Sequence, residues 1–451
     1  MPVSPARAAA FDILLRVERQ RSYASDLLHS ARFAKLSSVD HGLVTELVMG
    51  VLRWRSLLDE RLSGASSQKL DRLDDEVLVA LRLGAYQLQF LSRVPARAAI
   101  FESVELVKAA RKRSAASFVN AVLRKLTATA RPGAGGCKDA FADIQKASNP
   151  ISLAQNAAHP EWLVARWTQR YGFETTRRIC IYNQSQPVTT IHIRDNQSLE
   201  DLNRGGVELG PGHLLSAARA VVAGDVTRTR AYQQGGVAIQ DEASQLVALL
   251  VGRGQRILDC CAAPGGKTAL IARRNPSATI VASELHPYRA RLLSALARSP
   301  NVRIVAADAR QPPFTVTFDR ILADVPCSGT GTLAHNPEIK WRLTVQDLAD
   351  LQSRQIAILK SALGRLTAGG QLVYSTCSLE IEENEAVVEA ALDGAPEFSI
   401  ADCRGEMEKL RQSGELCTDD MESLLDGPFL RTIPGAHACD GFFAAIVEKN
   451  K

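Results

Sequence analysis

Between residues 236 and 376, short apolar runs alternate with helix-length stretches. That alternation constrains the fold more than any other feature of the chain. The runs lie at 256–260, 279–283, 302–307, 318–323 and 371–375, and the helical stretches between them include 285–298 and 345–366. Strands alternating with helices imply right-handed crossovers and a doubly wound, mostly parallel sheet. In such sheets the ligand sits outside the carboxyl ends of the strands. The residues that end each strand are therefore the ones to inspect.

Residues 5–126 read as helix throughout. Ala9, Ile13, Leu14 and Val17 follow helical spacing, as do Leu43, Leu47, Val48 and Val51. Asp74, Asp75 and Glu76 open a further helix with acid in its first turn, where the macrodipole favours it. Pro95 opens another. The region around the Gly-Ala-Gly-Gly run at 133–136 reads as a linker. Helical spacing from His159 and strand-like alternation at 188–194 suggest a small α+β module. The expected organisation is a helical domain at 1–130, a linker at 131–150, a module at 151–235 and a sheet domain at 236–451.

A chain of 451 residues, 46% hydrophobic and 23% charged, is neither disordered nor fibrous. No apolar run approaches the ~18 residues a membrane span needs, and the N-terminus lacks a secretory pattern. Nine cysteines, an odd number in a long chain, do not suggest a disulfide scaffold. The expected setting is reducing and cytoplasmic. Residues 1–130 hold 20 Lys/Arg against 13 Asp/Glu, whereas the remainder hold 34 against 36. The positive excess sits wholly in the N-terminal third, which suits either a polyanion partner or a solvated helical face.

The first strand ends in Asp259-Cys260 and continues as Cys261, Ala262, Ala263, Pro264, Gly265, Gly266, Lys267 and Thr268. Small residues and paired glycines let backbone approach a ligand, and the helix expected from Thr268 points free N–H groups at it. The spacing is neither a Walker loop nor the dinucleotide fingerprint. Glu284 is expected to end the second strand and Asp308 the third. Singly, each acid reads as a cap or a loop charge. In register with the glycine loop, the pair favours an adenosine-type ligand. The fourth and fifth strands lead into Asp324-Val325-Pro326-Cys327-Ser328 and Ser375-Thr376-Cys377-Ser378, placing two cysteines at one rim. A lone strand-end cysteine is most often a small buried hydrophobe. Two, flanked by Asp, Pro, Ser and Gly, are less easily dismissed. No metal-ligand spacing surrounds them, so no metal is expected.

These strings resemble the RNA 5-methylcytosine methyltransferases of the Nol1/Nop2/Sun family. Besides the three strings above, Asn336–Arg342 by number 336–342, the acidic run Glu382-Glu383-Asn384-Glu385 and the closing Asp440-Gly441-Phe442-Phe443 carry the resemblance. The stretch from Asp40-His41-Gly42 to Gly50-Val51-Leu52-Arg53 resembles the NusB-like domain of the bacterial branch that modifies 16S ribosomal RNA. The resemblance implies an α/β Rossmann-like methyltransferase domain preceded by an all-α NusB-like domain and a small RNA-binding module. It implies S-adenosylmethionine as cofactor, held by Cys261–Lys267 by number 261–267 with Glu284, Asp308 and Asp324.

The implied chemistry explains the residues. C5 of cytosine is too poor a nucleophile to take a methyl group directly, and a thiolate adding to C6 makes C5 enamine-like. Spacing alone does not choose between the thiols. By resemblance Cys377 is the nucleophile and Cys327 assists release; the alternative reverses them, because DNA cytosine methyltransferases attack from a Pro-Cys motif. Asp324 would bond the cytosine edge, and Lys267 would reach the active centre. The expected partner is 16S ribosomal RNA, unassembled or partly assembled, its phosphates met by Arg111, Lys112, Arg113, Arg124 and Lys125. The rivals are the same chemistry on transfer RNA and a non-catalytic RNA-binding assembly or antitermination factor. The set Asp324, Cys327 and Cys377 argues against the last. Cys260 and the acidic segment 404–430 receive no role.

Overall fold

The computed structural model describes residues 3–20, 22–33, 36–129 and 137–451. The chain forms two compact units, one of residues 1–186 with 333–342, the other of 187–332 with 343–451.

The first unit is helical. Pro5–Gln20, Ser38–Arg53, Arg55–Ala65, Asp75–Phe90, Ala96–Ala109 and Ala116–Thr129 are its first long helices. Ile13, Leu14, Leu47, Leu52, Leu58, Leu62 and Leu81 are fully buried among them. Gly50 permits one close crossing: a Cβ there would lie 2.0 Å from the Tyr86 ring, whose hydroxyl donates to Glu46 at 2.6 Å. The expected linker is corrected in part. Its glycine run lies outside the described residues, but Cys137–Lys146 is a helix. Ala140, Ile144 and Ala147 are buried, a three-residue apolar face too short to register as a period. The helix expected from His159 is two, Glu161–Tyr171 and Phe173–Gln184, broken where Gly172 takes φ +80°. By contacts these helices group with the first unit, and the chain from Pro187 groups with the second.

Segment 333–342 belongs to the helical unit although both its flanks belong to the other. Trp341 Nε1 donates to Leu52 O at 2.6 Å, and Arg342 Nη2 to Val17 O and Ser22 O at 2.6 and 2.8 Å. The Glu338 carboxylate accepts from Ala24 N at 2.7 Å. Leu52 and Val17 lie in last helical turns, where carbonyls have no intrahelical partner, so the segment satisfies groups the helices leave open. Lys340 Nζ donates to Arg53 O at 3.0 Å and to Gln184 Oε1 at 3.3 Å, and is fully buried.

The second unit carries two sheets. The smaller is antiparallel, order β2-β3-β1-β4, from β1 (Thr190–Ile193), β2 (Glu208–Pro211), β3 (Ala218–Ala223) and β4 (Val237–Ile239). The larger holds β5 (Arg256–Asp259), β6 (Thr279–Glu284), β7 (Val302–Ala306), β8 (Phe318–Asp324), β9 (Leu366–Thr376), β10 (Phe398–Ala401), β11 (Leu425–Asp426), β12 (Phe429–Arg431) and β13 (Phe443–Lys449). Its order is β11-β12-β13-β9-β8-β5-β6-β7, with β10 also paired to β13. Strands β5 to β9 pair in parallel and β10 to β13 antiparallel. The chain runs outward from β5 to β7 and returns at β8, so the switch point lies between β5 and β8. The segment 404–430 is an ordered flank: Cys403–Gln412 is helical, and Cys403, Met407 and Leu410 enter the main core. No described helix is long and apolar enough to cross a membrane.

Burial, then the Arg53 cation, pushes the Lys340 ammonium well below the ordinary lysine value. The unfolded chain therefore takes up a proton that the folded chain lacks, between that lowered value and the usual one. Stability rises with pH through this window, by at most about 1.4 kcal/mol per pH unit for one proton. Lys340→Met is expected to flatten that rise and to raise the urea midpoint at neutral pH. Identical pH profiles for the two proteins would contradict the assignment.

Candidate active site

The carboxyl ends of β5 and β8 open on a cavity of about 690 Å³. Its wall includes Asp259, the loop 261–267, Asp324, Asp440 and Phe442. Gly265 takes φ +121°, and a Cβ there would lie 2.9 Å from Leu293. Only glycine turns the chain there without strain. The following helix is Gly266–Arg274, two residues earlier than Thr268. Thr268 Oγ1 instead donates to Asp259 Oδ2 at 2.7 Å. Asp259 Oδ1 is buried and has no hydrogen-bond partner. Burial, with a smaller push from Asp324, raises that carboxyl to about 7. Cys260 turns into the core with Leu258 and Ile321, while Cys261 lines the cavity. Burial holds the Cys261 thiol well above its ordinary value.

Lys267, in the first turn of this helix, meets Asp324 at 2.8 Å. Its Nζ also lies 5.0 Å from the centre of the Phe442 ring. Burial alone would lower this ammonium; the Asp324 carboxylate outweighs it, with help from Cys377 and Asp259, so the group is raised and stays charged. The second Asp324 oxygen accepts from Ser375 Oγ at 2.7 Å, across a ladder that sets Asp324 opposite Ser375.

The two cysteines meet. Cys327 Sγ and Cys377 Sγ are 3.3 Å apart, both as free thiols. The hydrogen bond to Cys377, then burial, holds the Cys327 thiol well above its ordinary value. Neither sulfur belongs to the cavity wall, which Asp324 and Lys267 line.

Glu383 unites both loops, a role that its place in the acidic run did not reveal. It is fully buried. One oxygen accepts from Ser328 N at 2.8 Å and Gln355 Nε2 at 2.9 Å; the other accepts from the hydroxyls of Ser328 and Ser378. Two signals pointed to it: the same Cys-Ser pair at the end of both strands, and the acidic run just after Cys377.

Glu284 ends β6 as expected, is buried, and accepts from His286 N at 3.0 Å with Arg289 at 3.7 Å. Strand β7 ends at Ala306, so Asp308 lies two residues beyond it. Arg310 grips Asp308 through Nη2 at 2.6 Å and Nε at 3.0 Å, and these bonds hold its carboxyl below the usual range. Neither acid lines the cavity. No group of side chains suited to a metal ion is found among the described residues.

A Rossmann-like sheet with a glycine loop at its switch point, and paired thiols beyond the neighbouring strands β8 and β9, is the arrangement the resemblance to methyltransferases implies. Comparison with known proteins agrees. Residues 246–448 match the 16S rRNA methyltransferase RsmB/F family, 4–128 the NusB family, and 159–218 the RsmF/B-like ferredoxin-like domain. The chain is 33% identical over 465 residues to the probable ribosomal RNA small subunit methyltransferase B of Bacillus subtilis, covering 100% of both chains. It is 34% identical to the ribosomal RNA small subunit methyltransferase B of Pseudomonas syringae pv. tomato, covering 90% of each. Among solved structures, that of PH0851 superposes with a TM-score of 0.80 at 20% identity over 100% of both chains. A methyltransferase homolog protein from Pyrococcus horikoshii gives 0.54 at 25% identity, over 67% of this chain and 99% of the other. The chain belongs to the 16S rRNA methyltransferase RsmB/F family.

Sulfurs this close need only a small approach to bond covalently. Diamide treatment is expected to yield a reducible Cys327–Cys377 link, seen as a joined peptide pair by mass spectrometry, ahead of any other. Linkage of Cys417 in preference to this pair would refute the geometry.

Proposed function

We propose that the chain transfers a methyl group from S-adenosylmethionine to C5 of a cytidine in 16S ribosomal RNA, through a transient bond between Cys377 Sγ and C6. The observation that carries this reading is the meeting of two thiols, 3.3 Å apart, beside the Lys267–Asp324 pair. The names of the relatives support a small-subunit ribosomal RNA as substrate, which in a bacterium is cytoplasmic.

The cavity suits the cofactor. The buried Asp259 oxygen without a partner complements a cationic amino group. The loop 261–267 brings bare backbone to the wall; Glu284 and Asp308, set back from that wall, are the proposed partners of the ribose and adenine. When bound, S-adenosylmethionine supplies a methyl group on an electrophilic sulfonium.

The thiolate is the reactive form of cysteine. Lys267 places a retained positive charge near Cys377, and Cys327 offers it an S–H. As Cys377 adds to C6, an S–C6 bond forms and the C5–C6 π pair moves to C5. Asp324 bonds the pyrimidine edge and stabilises the protonated N3. C5 takes the methyl group with that electron pair. A base then removes the C5 proton, and the returning pair breaks the S–C6 bond and frees Cys377. Once Cys377 carries carbon, Cys327 gives its thiol proton to solvent, and the resulting thiolate takes the C5 proton in the release step.

Bisulfite mapping of ribosomal and transfer RNA, from cells with and without the protein, is expected to show one 16S cytidine losing its mark. Cys377→Ala is expected to abolish transfer, and Cys327→Ala to accumulate a covalent protein–RNA adduct in denaturing gels. Full methylation by the first variant would sink the nucleophile assignment; a mark lost only from transfer RNA would sink the substrate.

A further inference from the structure

Beside the reaction cavity lies a second hollow of about 360 Å³, bordered by His192, Arg194, Arg253, Arg273, Arg274 and Glu415. His192, Arg194 and Arg273 border both. They come from two elements. His192 and Arg194 are alternate residues of β1 and its end, on one side of the strand. Arg273 lies in the last turn of Gly266–Arg274, the helix that begins at the glycine loop.

The charges of this hollow do not balance. Glu415 is held by Arg274. The Asp195 carboxylate caps the helix Asn196–Arg204, accepting from Ser198 N at 2.8 Å. Among the described residues Arg194, Arg253 and Arg273 make no ion pair. Arg273 Nη2 lies 2.7 Å from His192 Nδ1. Burial, then Arg273, pushes the His192 imidazole down to about 4, so it stays neutral beside the guanidinium. Burial, then Arg194, also lowers Arg273. The helix dipole favours basic residues in that last turn. It does not explain why Arg273 turns onto β1 beside a second arginine. Arg194 and Arg253 are exposed and Arg273 is half-buried, so the gathered cations present an attractive field to an anion arriving from solvent. Guanidinium forks match phosphate oxygens in geometry.

We propose that Arg194, Arg253 and Arg273, with His192 orienting Arg273, form a phosphodiester site that holds the substrate RNA strand beside the reaction cavity. This rests on the RNA methyltransferase reading and names where that strand is gripped. A single free phosphate shares the chemistry, but cations bordering two adjoining hollows suit a chain of phosphates better.

The test is filter binding of the full chain to a 16S ribosomal RNA fragment over a series of potassium chloride concentrations. Removing two phosphate contacts to single-stranded RNA lowers the slope of log affinity against log salt by about 1.4. Arg194→Gln/Arg273→Gln is expected to show that loss, with a smaller change in S-adenosylmethionine affinity than in RNA affinity. Arg194→Lys/Arg273→Lys, which keeps the charge, is expected to retain most of the slope. A glutamine variant with the parent's slope and affinity overturns the proposal. So does a loss confined to S-adenosylmethionine affinity, which assigns the cluster to the cofactor, or to competition by inorganic phosphate, which assigns it to a free anion. A parent chain that binds no RNA at low salt removes the RNA reading itself, and needs no variant to be recognised.

Discussion

The Glu383 carboxylate is the interaction on which the site depends. A buried carboxyl group needs hydrogen-bond partners for both of its oxygens. Its donors are the residues that follow the two cysteines, Ser328 and Ser378, together with Gln355. Gln355 also donates to Pro326 O at 2.9 Å. The loops leave adjacent parallel strands whose ladder already sets Asp324 opposite Ser375. Register brings the loops to one height, and the carboxylate draws them together. The 3.3 Å between the sulfurs is the outcome.

Around that pair, charge is arranged for chemistry rather than stability. A buried ion pair such as Lys267–Asp324 is weak evidence for stabilisation, because desolvation offsets attraction. Asp259 adds a second acid at the same switch point, with one oxygen unsatisfied. A cavity wall with a retained cation, a paired acid and a carboxyl raised to about 7 favours ligands over solvent.

The segment 333–342 explains a motif whose residues touch no part of the cavity. Trp341 and Arg342 donate to carbonyls at helix ends, and Glu338 receives a backbone N–H. The string resembles a signature of the catalytic domain, yet its side chains complete the helical unit. A short run within one fold can thus be maintained by the needs of another.

Much of this was legible beforehand. Period-two and period-3.6 apolar patterns depend on local geometry, so the five parallel strands and the first helices could be read directly. The loop 261–267 and both cysteines could be named because strand ends are where such a sheet binds. Composition was less informative: the helix Cys137–Lys146 borrows its burial from neighbours, and three apolar residues make no visible period. Arg273 turning onto β1, where it meets His192, follows from packing between residues far apart in the chain. So does Glu383, whose meaning needs two loops some fifty residues apart, Ser328 and Ser378 being separated by 50. The sequence alone determined which side chains could do chemistry and on which strands they stand. The tertiary structure alone decided which of them meet, because distances between distant segments are set by sheet register and core packing, not by local pattern.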